Sequence, residues 1–423
     1  MNVLWLVSMT LPQAAAACGL ASASDVSGGW LTGQLTALRD HPSLQLAVVC
    51  VDTRHSTERC GDWDGVLYHI LPSAEGFPAL LEQHRPDLVH IWGTEYEAAS
   101  AMQQATAAQN LPVLIGMQGV MRDCAAHLCD GVPPRYRQST QLDHLLDRLI
   151  PGALLDNLQA NFDALAQSEA ALLAKAHYVT GRTAFDHRAV TDLAPQARYF
   201  ACNETLRPAF YRGPLWQARD FGRAPVLLLS QGNYPLKNLH TVLQALPSLL
   251  ERWPDAQLRI AGWPPLDKGP LLRPLIGRIF PYQRYCRELA AQLGVTDHIR
   301  YTGPLDAAAM RQAYLDADLF LLPSLSENSP NSLGEAMLLG LPCVASRAGG
   351  IPDMLTDGTQ GLLYGPALDA EGLAQAVTAV LSAPDGGTAL GQAARARALQ
   401  THDAAANATA LTSIYQTILE ETR

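Results

Sequence analysis

Apolar residues along this 423-residue chain fall into short unbroken runs, separated by longer stretches with helical spacing. The runs are too short for helices and lack the alternation of a half-wet strand, so they read as strands buried on both faces. Residues 2–9, 44–50, 87–92, 112–117 and 177–180 make a first set, and 225–230, 256–261, 299–303, 317–323 and 343–346 a second. Helical patterns separate most of them, at 27–40, 79–84, 97–109, 239–252 and 285–293. Residues 142–175 are also mostly helical, broken at Pro151-Gly152, with leucines at 142, 145, 146, 149, 165, 172 and 173 predicting amphipathic packing. Strands alternating with helices indicate βαβ units and a parallel sheet. The pattern occurs twice, so the expected fold class is α/β with two Rossmann-like domains.

Residues 201–216 (ACNETLRPAFYRGPLW) carry too much punctuation for a regular element and are read as a hinge region. The expected division is an N-terminal domain over 1–200, a hinge over 201–222 and a second domain over 223–400. A last helix over 401–423, spaced at Ala404, Ala408, Leu411, Tyr415 and Ile418, is long enough to cross back to the first domain.

Composition narrows the function classes. Hydrophobic content of 48% with 17% charged residues is that of an ordinary globular chain and excludes wholesale disorder. A formal charge of −10 argues against a nucleic-acid partner, because phosphate neutralisation needs clustered Lys and Arg. Eight cysteines without C-x-x-C pairs suit a reducing compartment; Cys124 and Cys129 with His127 between them do not complete a zinc pattern. Residues 3–11 are apolar and AAAAC (14–18) loosely resembles a cleavage site. With no Lys or Arg ahead of the run and Pro12-Gln13 breaking it, a buried strand followed by a small-residue loop is the expectation. No apolar run reaches membrane-spanning length. Residues 263–285 interleave Arg273, Arg278 and Arg284 with Leu, Ile, Phe and Tyr: a surface loop with snorkelling arginines, or an acceptor or membrane contact. Asp62-Trp63-Asp64 resembles the metal-binding DxD of some sugar transferases, but it stands alone between Gly61 and Gly65 and reads as a turn, so no metal is expected.

The chemistry concentrates in residues 324–353, SLSENSPNSLGEAMLLGLPCVASRAGGIPD. Ser329 can cap a helix, Pro330 fits its first turn and Gly340 its far end. Glu327 lies in the loop before that helix and Glu335 inside it, while the helix N-terminus is a ready anion site. Lys237, in QGNYPLKN (231–238), stands at another helix N-terminus where the helix dipole gives a cation no reason to sit; it is either solvated or answering an anion. Gly28-Gly29 opens the helix at 27–40, either for close approach to a phosphate or as a plain tight turn. GxGxxG is absent, so the usual dinucleotide fingerprint is missing.

Two Rossmann-like halves carrying E-x7-E after a buried strand resemble the nucleotide-sugar glycosyltransferases of the GT-B fold, and more narrowly their retaining family 4. ENSPNSLGEAM (327–337), LPCVASRAGGIPDML (341–355) and YPLKN (234–238) carry the resemblance; GRTAFDHR (181–188) and CNETLRPAFY (202–211) look like a bacterial subgroup acting in surface-polysaccharide assembly. The resemblance implies two domains facing each other across a cleft. Its implied catalytic residues are Glu327, on donor-sugar hydroxyls, and Lys237, on the distal phosphate. Glu335 would hold the ribose, with the amides near Asn331, Ser332 and Leu333, and with Asn233, Gly28 and Gly29, completing the donor site. Gln118, His90 and Arg182 would contact acceptor or sugar. Two departures stand out: Gly232 where the family usually has arginine, and Gln118 where many members have histidine. Arg182 is a candidate for the missing cation, and His90 for the missing imidazole.

The implied activity is metal-independent, retaining transfer of a sugar from a UDP- or GDP-linked donor to a glycan or lipid-linked acceptor. No cofactor is implied beyond that co-substrate. The expected location is cytoplasmic, with peripheral contact at the inner membrane face as the option. A nucleotide-sugar isomerase and a non-catalytic sugar-nucleotide binding protein are the rival readings.

Overall fold

The computed structural model describes residues 1–20, 29–39, 41–149, 153–264 and 273–422. The chain divides into two compact units. Met1–Met121, Leu165–Pro208 and Gln400–Arg423 form the first, and Arg122–Ala164 and Ala209–Leu399 the second.

The first unit is built on β1 (Asn2–Leu6), β2 (Gln45–Val51), β3 (Arg59–Trp63), β4 (Val66–Leu71), β5 (Leu88–Trp92), β6 (Val113–Gly116), β7 (Tyr178–Gly181) and β8 (Arg198–Ala201). They lie side by side as β3-β4-β2-β1-β5-β6-β7-β8, all parallel except β3, which runs antiparallel to β4. Alternate side chains of β1 go to opposite layers, as the strand period requires. Val3 and Trp5 join a core with Leu31, Leu35, Leu411 and Tyr415, whereas Leu4 and Leu6 join one with Phe77, Leu80, Met102 and Leu172.

The last helix, Ala404–Glu421, packs on Gly29–Leu38 within this same unit. The expected crossing back is therefore present. Tyr415 fastens it: its hydroxyl accepts from Trp5 Nε1 at 3.0 Å and meets His90 Nδ1 at 2.7 Å, all three side chains buried.

The second unit has six parallel strands, β9 (Val226–Leu229), β10 (Gln257–Ile260), β11 (Ile299–Tyr301), β12 (Leu319–Leu322), β13 (Cys343–Ser346) and β14 (Leu362–Tyr364). Their order is β11-β10-β9-β12-β13-β14. β9 and β12 are central and fully buried, which is why VLLL and LFLL show no polar alternation.

Residues 122–164 lie with the second unit, whereas the sequence pattern placed them within 1–200. The reason is apolar burial: Val132, Tyr136 and Leu155 share a core with Leu239, Leu243, Tyr282 and Tyr285. Polar ties reinforce it, with Tyr136 Oη donating to Glu288 at 2.6 Å and Arg278 Nε to Asp143 at 2.5 Å.

Other expectations are adjusted. The small-residue stretch after β1 contains a short helix, Pro12–Ala17, in place of a loop. Asp62 and Trp63 are the last residues of β3, the Asp62 carboxylate accepts from Gly65 N–H at 3.3 Å, and Asp64 pairs with Arg39; the DxD runs from a strand end into a hairpin turn. Of residues 263–285, those from 265 to 272 lie outside the described residues, and those from 273 on lie mostly in helices Arg273–Ile279 and Pro281–Gln292. Among the described residues no helix is long and apolar enough to cross a membrane.

Candidate active site

In an open parallel sheet, ligands bind beyond the carboxyl ends of the strands. In the second unit, that edge carries the loops after β9, β12 and β13. Lys237 Nζ and Glu327 Oε1 meet there at 2.6 Å, and both side chains are largely enclosed. Ser324 Oγ donates to the same carboxylate oxygen at 2.8 Å, fixing its rotamer.

Main-chain ties place this pair. Leu325 N–H donates to Leu236 O at 2.8 Å, joining the two loops directly. Asn238, fully buried and left-handed at φ 54°, donates from Nδ2 to Pro323 O and Ala367 O, both at 2.8 Å, and accepts from Thr241 Oγ1 at 2.7 Å. Asparagine tolerates that backbone better than most residues, and its amide meets three groups at once. The glycine pair has an equally local duty. Gly350 N–H donates to Glu327 O at 2.9 Å. A Cβ on Gly349, whose φ is +53°, would stand 1.9 Å from that same carbonyl, so only glycine lets the turn clamp Glu327.

Burial lowers the tendency of Lys237 to hold its proton, but the Glu327 carboxylate more than offsets this and the ammonium pKa is raised. The Tyr234 ring lies 5.7 Å from the same nitrogen. Lysine here is thus a fixed, permanent cation.

The helix Asn331–Leu339 starts beside the pair. Its N-cap is Pro330 rather than Ser329, and no side chain caps it. The extended ψ of 116° at Pro330 delays the helix by one residue. By contrast, Thr183, Asp306, Asp369 and Asp403 each cap their own helices with a side-chain oxygen. Leu333 N–H already donates to Pro330 O at 3.0 Å, which leaves Asn331 and Ser332 as the foremost amides of the turn. Glu335 is buried inside this helix. Asn233 is exposed in the loop after β9. At Gly232 a Cβ would meet Leu239 at 3.2 Å and Ile260 at 3.3 Å, so an arginine there would need both neighbours to give slightly.

Two contributors escaped the sequence reading. Ser326, next to Glu327, donates its hydroxyl to Asp123, and Cys124 Sγ lies 3.8 Å from that hydroxyl. Ser326 lies within the 324–353 stretch but carries no spacing signal there, Asp123 sits in no motif, and they lie about two hundred positions apart, so only folding brings them together.

The first unit places its own candidates differently. Gln118 and Arg182 meet at the carboxyl ends of β6 and β7, and both contact Glu204 beyond β8. His90 is instead fully buried in β5, stacked on Trp92 at 3.9 Å and bonded to Tyr415, with burial holding its pKa well down. It is a buried, neutral residue of the core, with Nε2 unpartnered. Gly29 is also explained internally: a Cβ there would come 2.3 Å from Arg207 Cδ, and one at Gly33 2.3 Å from Leu206 O. These glycines let the helix approach residues 205–207 closely. Gly28 lies outside the described residues.

The two parallel-sheet units have the architecture of the GT-B glycosyltransferases. Sucrose-phosphate synthase from Thermosynechococcus elongatus superimposes with a TM-score of 0.72 at 16% identity over 100% of both chains. Anabaena HepE, solved in complex with UDP and glucose, superimposes with a TM-score of 0.64 at 15% identity, covering 98% of this chain and 99% of that one. Within the chain, residues 219–397 match the family model of glycosyl transferases group 1. Among curated relatives, the GDP-mannose-dependent alpha-(1-6)-phosphatidylinositol monomannoside mannosyltransferase of Mycolicibacterium smegmatis is 30% identical over 195 residues, 44% of this chain and 47% of that protein. D-inositol 3-phosphate glycosyltransferase of Corynebacterium efficiens is 36% identical over 145 residues, 33% of this chain and 31% of that protein. The matches thus span less than half the length of either relative.

Proposed function

We propose that this protein is a retaining glycosyltransferase that moves a sugar from a nucleoside diphosphate to a glycan or lipid-linked acceptor, without a metal, in the assembly of a cell-surface polysaccharide. The carrying observation is the 2.6 Å Lys237–Glu327 pair beside a helix N-terminus that no side chain caps. The group 1 match over residues 219–397 supports the donor half of the reading.

Breaking the anomeric bond leaves an oxocarbenium-like sugar and a departing diphosphate, so negative charge grows on the phosphate. Lys237, with the amides of Asn331 and Ser332, supplies positive field at that point and needs no reorganisation to do so. Glu327, its backbone clamped by Gly350 and its carboxylate by Ser324, contacts sugar hydroxyls. Glu335 holds the ribose. The acceptor then attacks from the face the leaving group vacates, its proton passing to the phosphate oxygen, so no protein base is required. The site sits at the cytoplasmic side, where nucleotide sugars are available, with peripheral contact at the membrane face for a lipid-linked acceptor.

The test is incubation of the whole chain with a panel of UDP- and GDP-sugars, following thermal unfolding and then product formation with and without acceptor. Specific stabilisation by one donor class and acceptor-dependent transfer are expected. Stabilisation by none of them would sink the reading. Conversion of donor without acceptor would replace it with isomerisation, and binding without turnover with a purely binding role.

A further inference from the structure

Four neighbouring strands of the first unit, β5 to β8, each deliver one polar side chain just past their carboxyl ends: Glu95, Gln118, Arg182 and Glu204. Arg182 and Glu204 form an ion pair in which each side chain is only 5% exposed. The carboxylate of Glu204 also accepts from Gln118 Nε2 at 2.7 Å. Arg182 Nη2 donates to Met117 O at 3.2 Å and faces Gln118 Oε1 at 3.5 Å. His402 Nδ1 holds the Glu204 main-chain carbonyl at 2.8 Å.

This network settles which way the Gln118 amide points. Turned over, its oxygen would oppose a carboxylate and its NH2 a guanidinium, so one orientation is strongly preferred. One amide hydrogen and the remaining lone pair of Gln118 are then presented in a fixed direction. Two further donors, Arg182 Nε and Trp92 Nε1, are buried without a partner. Both residues line the same cavity of about 10 Å³, together with Gln118 and Glu204, close to the volume that one oxygen atom with its hydrogens needs. Orphaned buried donors around a space that size require a hydroxyl or a water.

From this we infer that Glu204 is a positioning residue, locking Gln118 and Arg182 so that they hold a hydroxyl group of the acceptor sugar at the edge of the first-unit sheet. The inference rests on the glycosyl-transfer reading for the word acceptor, but the hydroxyl site itself does not. Glu204 acts through its neighbours: its own oxygens are already taken by Arg182 and Gln118. It also supplies the charge that keeps the buried guanidinium from standing alone.

The experiment has two arms. In the first, crystal structures of the wild type and Glu204→Gln are compared, and binding of methyl α-D-mannopyranoside and methyl α-D-glucopyranoside is followed by saturation-transfer NMR. The side chains of Gln118 and Arg182 are expected to shift from their wild-type positions in the variant, which lacks the charge holding them, and the sugar signal to fall in both Glu204→Gln and Gln118→Ala. An unmoved Gln118, or a wild type giving no sugar signal, overturns the inference whether or not the protein transfers sugar. In the second arm, transfer from UDP-glucose or GDP-mannose to the same glycosides is measured for both single variants and the double variant. Each single variant should raise the acceptor KM on the order of tenfold to a hundredfold, with the donor KM unchanged. The double variant should be no worse than about twofold beyond the weaker single one, because both changes remove one device. Additive losses would mean that Glu204 works independently and would overturn the positioning role. Absence of transfer by the wild type would count against the proposed function alone.

Discussion

The two units organise polar chemistry in opposite ways. In the second, a single cation–carboxylate pair stands on loops joined by main-chain hydrogen bonds, and each partner lies in a contiguous motif. In the first, three side chains from separate strand ends hold one another, and Glu204 at their centre belongs to no motif with an evident chemical reason. A site built on backbone ties is robust to neighbours and sensitive at the pair itself. A site built as a side-chain network spreads its sensitivity over every member.

That contrast is open to test. The largest expected effect is from Lys237→Ala, which removes the fixed cation: kcat for transfer should fall about a hundredfold, measured at saturating donor. A loss under threefold would mean that the helix amides carry the phosphate alone, and the two sites would then look alike.

Next is acid sensitivity, for which each unit holds a buried histidine whose pKa is lowered by burial, His240 in the second and His90 in the first. Burial lowers the His240 pKa from 6.5 to about 4, against an opposing contribution from Asp130. The unfolded chain therefore takes up a proton that the folded one refuses. Stability should fall as pH drops from about 6.5 towards 4, by on the order of 3 kcal/mol, and be fully present above 6.5. Urea titrations across that range check it, and constant stability would refute the buried neutral histidine. His90 in the first unit has the same direction of shift, so both units should weaken together in acid.

Tyr415→Phe should act on the first unit alone. It strands Trp5 Nε1 and His90 Nδ1 in the core and should cost about 1–3 kcal/mol by calorimetry, leaving intact the nucleotide binding proposed for the second unit. The smallest effect expected is from Gln118→Ala, roughly tenfold in acceptor KM, as for loss of one neutral hydrogen bond. A much larger loss in kcat would move Gln118 from holding the acceptor to the reacting atoms.

How much was legible follows the same division. Fully buried runs such as LFLL and CVAS announce parallel strands, and helix 239–252 appears over those same residues, because one-face burial imposes its period. The Glu327, Lys237 and glycine-pair segments are visible because each carries the family resemblance, whereas the Lys237–Glu327 contact itself spans 90 positions and follows from no spacing. The β3–β4 hairpin was not read, since β3 is an exposed edge strand with a polar sequence, RCGDW, and no periodic signal. The helix 331–339 began one residue late because Pro330 itself stays extended. For His90 and Gly29, where sequence leaves a ligand and a structural role both open, the packing around each gives the structural one. Glu204, Ser326 and Asp123 owe their meaning to partners between 22 and 203 positions away, distances across which no spacing rule operates.

The Tyr415 hydroxyl has a consequence for the order in which the chain matures on the ribosome. The strands of the first unit are complete by β8, yet the helix that closes its core is read out roughly two hundred residues later. At the usual ~5–20 residues per second this is a wait of about 10 to 40 s. All segments of the second unit, 122–164 and 209–399, leave the ribosome before Tyr415 does. The half of the molecule synthesised first is therefore the half finished last. Until then Trp5 and His90 lack the hydroxyl that satisfies them, and the exposed face beside them is where a chaperone would find the nascent chain.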